Sequence, residues 1–260
     1  MKYGFIGCGN MGGAIAKALA QTTTDLLLTD RSGKAKALAS ELGAVYGTNE
    51  QAASCDRVFL AVKPYMMKDC LAPLQPILQE KKPLLITMAA GLTIEQIEAF
   101  ASTHLPVIRI MPNTPVAVGK GVIQYCRNEL VDQETINSFL EDMRFAGKLD
   151  ELEERLIDAA SALSGCGPAY VYLFIEALAD GAVACGIPRA KAMEYAAATV
   201  IGAGEMVLAT GQHPGALKDA VCSPGGSTIA GVRALEQHGF RGAVMDCVDA
   251  AYRRNQELGK

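Results

Sequence analysis

The chain has 260 residues, 50% apolar and 20% charged, which reads as a soluble globular protein long enough for two domains with full cores. Its net charge of −4 comes from 24 basic and 28 acidic side chains, and residues 1–150 carry 15 of each, so the acidic excess falls in residues 151–260. No lysine–arginine run offers a footprint for nucleic acid, whereas an anionic small molecule remains a candidate partner because a local fan of N–H groups holds an anion whatever the net charge.

The opening "MKYGFIGCGN" enters a strand at once and has no secretory apolar region. The longest uncharged stretch, Ala159 to Ile175, is shorter than the ~20 residues of a membrane span, and "GCGP" interrupts it. A cytoplasmic protein without a membrane partner is expected. The eight cysteines include no Cys-x-x-Cys, and without an export signal they read as reduced, mostly buried thiols. The three histidines are too scattered for a metal site, so no metal is expected.

Residues 1–150 alternate short apolar runs with helical patterns. "YGFIG", "DLLLTD", "AVYG", "RVFLAV", "PLLITMA" and "PVIRIM" read as strands, with "MGGAIAKALA" and "SGKAKALASEL" as helices between them. Such alternation predicts a parallel, doubly wound sheet, to which "VGKGVIQYC" adds a strand or hairpin at the edge. In residues 151–260 the strand-like runs stop. "LEERLIDAASALS", "AYVYLFIEALADGAVAC", "RAKAMEYAAATVIGAGEMVLAT" and "GAVMDCVDAAYRRNQEL" carry helical periodicity, broken at "GCGP", "GIP", "GQHPG" and "SPGG". These alanine- and glycine-rich helices make a thin core alone, so a second subunit is expected to cover one face.

The strongest motif is "GFIGCGNMGGAIAKALA". Gly7-Cys8-Gly9-Asn10-Met11-Gly12 follows the strand that ends at Ile6 and opens a helix. Gly7 permits the tight turn, Gly9 lets backbone approach a pyrophosphate, and Gly12 lets helix and strand pack closely. The phosphates meet free N–H groups at the positive end of that helix. Asp30 closes the second strand, 18 positions after Gly12, as a dinucleotide fingerprint requires. Asp30 suits the ribose 2′-hydroxyl of NAD. Arg31, Ser32 and Lys34 follow at a helix start suited to a 2′-phosphate. The mixture predicts NADP(H) with tolerance for NAD(H).

Two further turns face the same crevice, beyond the carboxyl ends of their strands. "LAVKP" contributes Ala61, Val62, Lys63 and Pro64; "MAAG" contributes Ala89, Ala90 and Gly91. Ala61, Ala89, Ala90 and Gly91 leave room for a nicotinamide ribose. Lys63 either reaches a phosphate or ribose, or is simply solvated. Asn49 either touches adenine or caps the short helix that follows.

The first half supplies no acid, base or carboxylate clamp. "SPGGST" does. Gly225 and Gly226 let a ligand approach the backbone, successive N–H groups form an anion pocket at a helix start, and Ser227 and Thr228 add hydroxyls. The alternative is an ordinary helix opening, with Ser223 as N-cap and Pro224 in the first helical position.

Taken in order, "FIGCGNMG", "FLAVKP", "MAAG", "RIMPNTP", "LSGCGPAY", "QHPGALKDAVCSPGGST" and "ALEQHGFR" run from residue 5 to 241, and this combination resembles the pyrroline-5-carboxylate reductases. The resemblance implies reduction of the C=N bond of 1-pyrroline-5-carboxylate to L-proline. It implies an α/β Rossmann-type parallel sheet domain (residues 1–150) followed by an all-α substrate and dimerisation domain (residues 151–260) that interlocks with a second subunit in rings of dimers. It implies that Gly225, Gly226 and Ser227 hold the substrate carboxylate and that Thr228 hydrogen-bonds the ring nitrogen. Some members carry an acidic residue where Gly211 or Gln212 stands here, and Ser227 is alanine or threonine in others. Asn113 of "MPNTP" matches a segment near the nicotinamide, or makes an Asx turn before Pro115. Two rival readings are a β-hydroxyacid dehydrogenase, which needs a helical lysine such as Lys191 or Lys218, and a non-catalytic NADP(H) sensor.

Overall fold

The computed structural model describes residues 3–258. Eight strands form one sheet: β1 Tyr3–Ile6, β2 Leu26–Thr29, β3 Val45–Tyr46, β4 Arg57–Leu60, β5 Leu84–Thr87, β6 Val107–Met111, β7 Gly121–Arg127 and β8 Gly147–Glu151. Their spatial order is β3-β2-β1-β4-β5-β6-β7-β8. The first six are parallel neighbours, β7 runs antiparallel to β6, and β8 returns parallel to β7.

Residues in β1, β2, β4, β5 and β6 are buried without alternation, because helices cover both faces of the sheet. The period of two still sorts the side chains. Tyr3, Phe5, Phe59 and Ile86 enter one core with Ile15 and Leu19 of helix Asn10–Leu19, Leu38 of helix Lys34–Leu42, and Phe139 of helix Gln133–Asp142. Ile6, Val58, Leu60 and Leu85 enter the other, with Met67, Leu71, Leu78 and Ile97. The rings of Phe5 and Phe59 stack 4.4 Å apart across adjacent strands.

The sheet extends one strand further than the sequence pattern predicts. "VGKGVIQYC" is β7, antiparallel as a hairpin would be, yet β8 lies outside it. The β8 sequence, GKLDE, is charged and largely exposed. Charge is how natural sheets protect an open edge, and it also removes the apolar signature that identifies a strand.

Buried arginines fasten helices to the sheet. Arg57 donates to Tyr3 Oη at 2.6 Å, Asp142 Oδ2 at 3.1 Å and Ser138 Oγ at 3.0 Å. Burial, followed by the hydrogen bond to Asp142, pushes the Tyr3 phenol well above its ordinary range. Arg109, on β6, donates to Glu154 Oε1 at 3.1 Å and Asp158 Oδ1 at 3.0 Å. The same Glu154 oxygen accepts the Ile94 N–H at 2.8 Å, at the start of helix Ile94–Ala101.

This second clamp moves the domain boundary. The chain forms two compact units: one runs to Cys166 and takes in the chain from Ala251 onward, and the other is Gly167–Ala250. Residues 151–166 carry a helical pattern, as the sequence suggests. Their packing nevertheless belongs to the sheet, because Arg109 binds Glu154 and Asp158 and Ile157 is fully buried in its core. One helical stretch among the described residues, Glu154–Ala184, is long and apolar enough by composition to cross a membrane. Its first third is the segment clamped by Arg109.

The second unit contains helices Gly167–Ala184, Arg189–Thr210, Pro214–Ala220 and Ser227–Gln237 and most of Phe240–Leu258. Its buried apolar cluster consists of Ala179, Ala192 and Ala196. Large side chains stand open instead, among them Leu173 at 67% and Leu208 at 82% exposure. A surface this apolar marks an interaction face.

Replacing Arg109 with methionine would strand two carboxylates that it now neutralises. Unfolding in urea is expected to show a loss of about 2–4 kcal/mol, near the range for breaking one side of a buried ion pair.

Candidate active site

In a doubly wound sheet, ligands bind beyond the carboxyl ends of the strands where strand order reverses, here between β1 and β4. The turns after these strands are pressed together. Gly7 has φ +100°, and a Cβ there would stand 2.7 Å from the Ala61 carbonyl oxygen. A Cβ on Gly12 would stand 2.3 Å from Gly7 O and 2.8 Å from Ala61 Cβ. Both positions therefore demand glycine. Gly9 differs: it is the N-cap of helix Asn10–Leu19, makes no side-chain cap, and has open space where a Cβ would be. The Gly13 N–H makes the first bond back, to Gly9 O at 2.8 Å. Among the described residues the N–H groups ahead of it have no partner, and no acidic side chain occupies the first turn.

A cavity of about 610 Å³ opens over this helix start, within the roughly 300–1,000 Å³ usual for small-molecule sites. Gly9, Asn10, Met11 and Gly12 line it, as do Ala61, Val62, Lys63 and Pro64, and Ala90. Lys63 is exposed and has no ion-pair or hydrogen-bond partner among the described residues. A helix start stripped of side chains, an unengaged lysine and a glycine floor open to backbone approach fit a pyrophosphate.

Other residues expected at the cofactor do not line this cavity. Ile6, Cys8 and Ala89 are core residues, between 1% and 4% exposed. Desolvation, then the charge of Asp30, pushes the Cys8 thiol up to about 12, so it is an inert packing group. Gly91 lines a separate cavity of about 580 Å³ with Tyr65 and Phe100. Asn49 does not cap its helix. Thr48 does, through a reciprocal capping box with Gln51, and Asn49 Oδ1 faces the Thr29 hydroxyl at 3.2 Å. Arg31 and Ser32 are exposed on the turn after β2. Met88, Thr114 and Ala117 also line the 610 Å³ cavity; only the places of Met88 beside "AAG", Thr114 within "MPNTP" and Ala117 just after it hinted at this. Asn113 itself makes no Asx turn. It is buried, donates to Ser164 O and accepts from the Val122 N–H, both at 2.9 Å, and so stitches β7 to the end of helix Ile157–Ser164.

In the second unit, Ser223-Pro224-Gly225-Gly226 is a β-turn. The Ser223 carbonyl accepts the Gly226 N–H at 3.0 Å, and Gly225 has φ +69°. Proline second and a left-handed glycine third is the type II pattern. The expected alternative, Ser223 as N-cap, gives way: Gly226 is the N-cap of helix Ser227–Gln237 and no side chain caps it. A Cβ on Gly226 would stand 2.7 Å from Ser223 Oγ. The N–H groups of Ser227, Thr228 and Ile229 have no partner among the described residues, since the first bond back runs from Ala230 to Gly226 O at 3.4 Å. Both hydroxyls, of Ser227 and Thr228, are exposed and likewise unengaged. Uncapped N–H groups with a hydroxyl beside them fit an anion.

The lysines that a hydroxyacid dehydrogenase would need are committed elsewhere. Lys191 pairs with Glu194 at 2.9 Å, and Lys218 pairs with Asp219, which raises its pKa.

Residues 154–258 match the family model for pyrroline-5-carboxylate reductase dimerisation, and residues 2–91 match that for coenzyme F420-dependent NADP oxidoreductases. The pyrroline-5-carboxylate reductase of Escherichia coli is 41% identical, over 100% of this chain and 98% of its own. The chain belongs to the pyrroline-5-carboxylate reductase family. The Pisum sativum reductase is also 41% identical, over 98% of this chain and 95% of its own. Among solved structures, the Coxiella burnetii reductase aligns with TM-score 0.90 at 35% identity, covering 100% of this chain and 98% of that one. The Plasmodium falciparum reductase, solved with NADP bound, aligns with TM-score 0.88 at 34% identity over the same shares.

The glycines of this family member should separate by mutation. Gly9→Ala is expected to fold normally yet weaken NADPH at least ~10-fold in a fluorescence titration, about 1.4 kcal/mol. Gly12→Ala is expected to lower stability itself by about 1–3 kcal/mol through overpacking, read as a lower melting temperature.

Proposed function

We propose that this chain reduces 1-pyrroline-5-carboxylate to L-proline with NADPH, the last step of proline biosynthesis, as a soluble cytoplasmic enzyme that also tolerates NADH. The observation that carries the reading is the uncapped turn at 223–228, which offers three free N–H groups to a carboxylate in a chain akin to these reductases along its whole length.

The reaction places two demands on the protein. The substrate ring carries a carboxylate, and its imine accepts hydride readily once the nitrogen is protonated. The N–H groups at Ser227, Thr228 and Ile229 hold the carboxylate, with Gly225 and Gly226 giving it access to the backbone. Thr228 Oγ1 then lies one residue into the helix, within reach of the ring nitrogen. A threonine hydroxyl is a weak acid, so Thr228 relays a proton from water or orients the ring. The free N–H groups at Asn10 and Met11 and the ammonium of Lys63 hold the dinucleotide phosphates. Bound nicotinamide supplies the hydride. Fixing the imine carbon against it supplies much of the acceleration, because the encounter is made in advance.

The exposed apolar helices of the second unit support a homodimer in which a second copy covers them. The ring of dimers implied by the resemblance is the next level of association.

Three outcomes are expected. Thr228→Ala lowers kcat by about 10²-fold or more in an assay of NADPH consumption with the imine, since a positioned proton-transfer group contributes 10²–10⁴. Thr228→Ser keeps most of the rate, and a loss under ~2-fold in the alanine variant would exclude the relay. Light scattering at micromolar concentration returns at least a dimer mass; a monomer would refute the covered helical face.

A further inference from the structure

One side chain continues the ladder where β6 leaves the sheet. β6 and β7 pair antiparallel, from Ile108 with Arg127 to Met111 with Gln124. The same register sets Asn113 opposite Val122. The main-chain oxygen of Asn113 does not serve the ladder there, because it accepts the Val116 N–H at 3.2 Å. The side chain takes its place: Oδ1 accepts the Val122 N–H at 2.9 Å. The backbone is thereby released to turn away from the sheet while the residue stays bonded to β7.

The other end of the carboxamide is committed as well. Nδ2 donates to the Ser164 carbonyl at 2.9 Å, at the end of helix Ile157–Ser164. Four residues on from Ser164 stands Pro168, which has no N–H to offer that carbonyl. Asn113 is also the N-cap of the 3-10 segment Thr114–Val118, where asparagine ordinarily caps through its side chain, and here it forms no such cap. It is 6% exposed. A residue that forgoes its local task for two distant partners breaks a local rule, and such breaks gather where function sets the geometry.

The segment held in this way is a wall of the cleft. Thr114 and Ala117 line the 610 Å³ cavity, and Val116 between them is buried in the core that holds Ile15. The wall leaves the end of β6, two strands beyond β4, whereas β2 lies on the other side of the strand-order reversal. In a doubly wound sheet the adenosine half of a dinucleotide lies toward the end of β2, so the β6 side receives the other half. We propose that Asn113 is a positioning residue of the cleft: its carboxamide fixes the Thr114–Ala117 wall against the nicotinamide half of the dinucleotide. Asn113 acts through that wall and does not touch the ligand. The inference rests on the reading of the cleft as a dinucleotide site.

Calorimetric titration of the intact protein with NADPH and with adenosine 2′,5′-bisphosphate, the adenosine half alone, tests it without turnover. Asn113→Ala is expected to weaken NADPH at least ~10-fold and to leave the bisphosphate within ~2-fold, because only the nicotinamide half meets the displaced wall. Asn113→Asp keeps the shape and the acceptor for Val122, but as a carboxylate it cannot donate to Ser164, and it is expected to show the same split. If neither variant folds, hydrogen exchange in the unmutated protein carries the test: NADPH is expected to slow exchange across residues 114–118, and the bisphosphate is not. Equal loss of both ligands, a lower melting temperature with both affinities kept, or exchange at 114–118 unmoved by NADPH would overturn the proposal. Failure of the unmutated protein to bind NADPH would refute the reading of the cleft and the proposal with it. Neither titration involves the imine, so the expected split without imine reduction refutes the reaction assignment alone.

Discussion

The cleft beyond β1 and β4 depends on one steric constraint: the turn after β1 and the turn after β4 are packed with no room for a Cβ between them. Gly7, Gly12 and Ala61 meet at distances that no larger residue tolerates. This contact draws the start of helix Asn10–Leu19 down onto the sheet and leaves its free N–H groups facing the gap where strand order reverses. Gly9, with open space where a Cβ would stand, is the part of the motif that packing does not require.

The sheet makes that constraint affordable. Side chains alternate into two separate cores, so each strand is held from both faces and its carboxyl end is fixed in position. Arg57 and Arg109 then tie helices to the sheet by ionic bonds within the buried layer. Arg109 also connects Glu154 to the Ile94 N–H, and so braces the helix that follows the Met88–Gly91 turn. The loops that form the cleft emerge from strands buried on both faces.

What could be read from the sequence was whatever is encoded locally. The fingerprint from Gly7 to Gly12, the six parallel strands and the helical second half all depend on residues within one or two turns of each other. What could not be read depends on partners far along the chain. Asn113 is used up by Ser164, 51 positions away, and the attachment of residues 151–166 to the sheet depends on Arg109 reaching Glu154 and Asp158. β8 escaped because its charges, suited to an exposed edge, hide its strand character. Thr48 and Gly226 displaced Asn49 and Ser223 as caps because reciprocal bonding and turn closure decide such contests, and composition does not. At Asp30 the motif predicted the residue but not its partners, the Ser32 hydroxyl and the Gly33 N–H.

Among the described residues, the helical unit's buried apolar cluster is three alanines, with Ile175, Ala182 and Val183 partly buried against it. So small an interior cannot offset the conformational entropy of ordering five helices. In the proposed dimer its folding free energy would be drawn largely from association, which would tie stability to mass action: the melting point would climb with protein concentration, and dilution alone would work as a denaturant. A cell that lowers its level of this chain would then lose activity faster than it loses polypeptide.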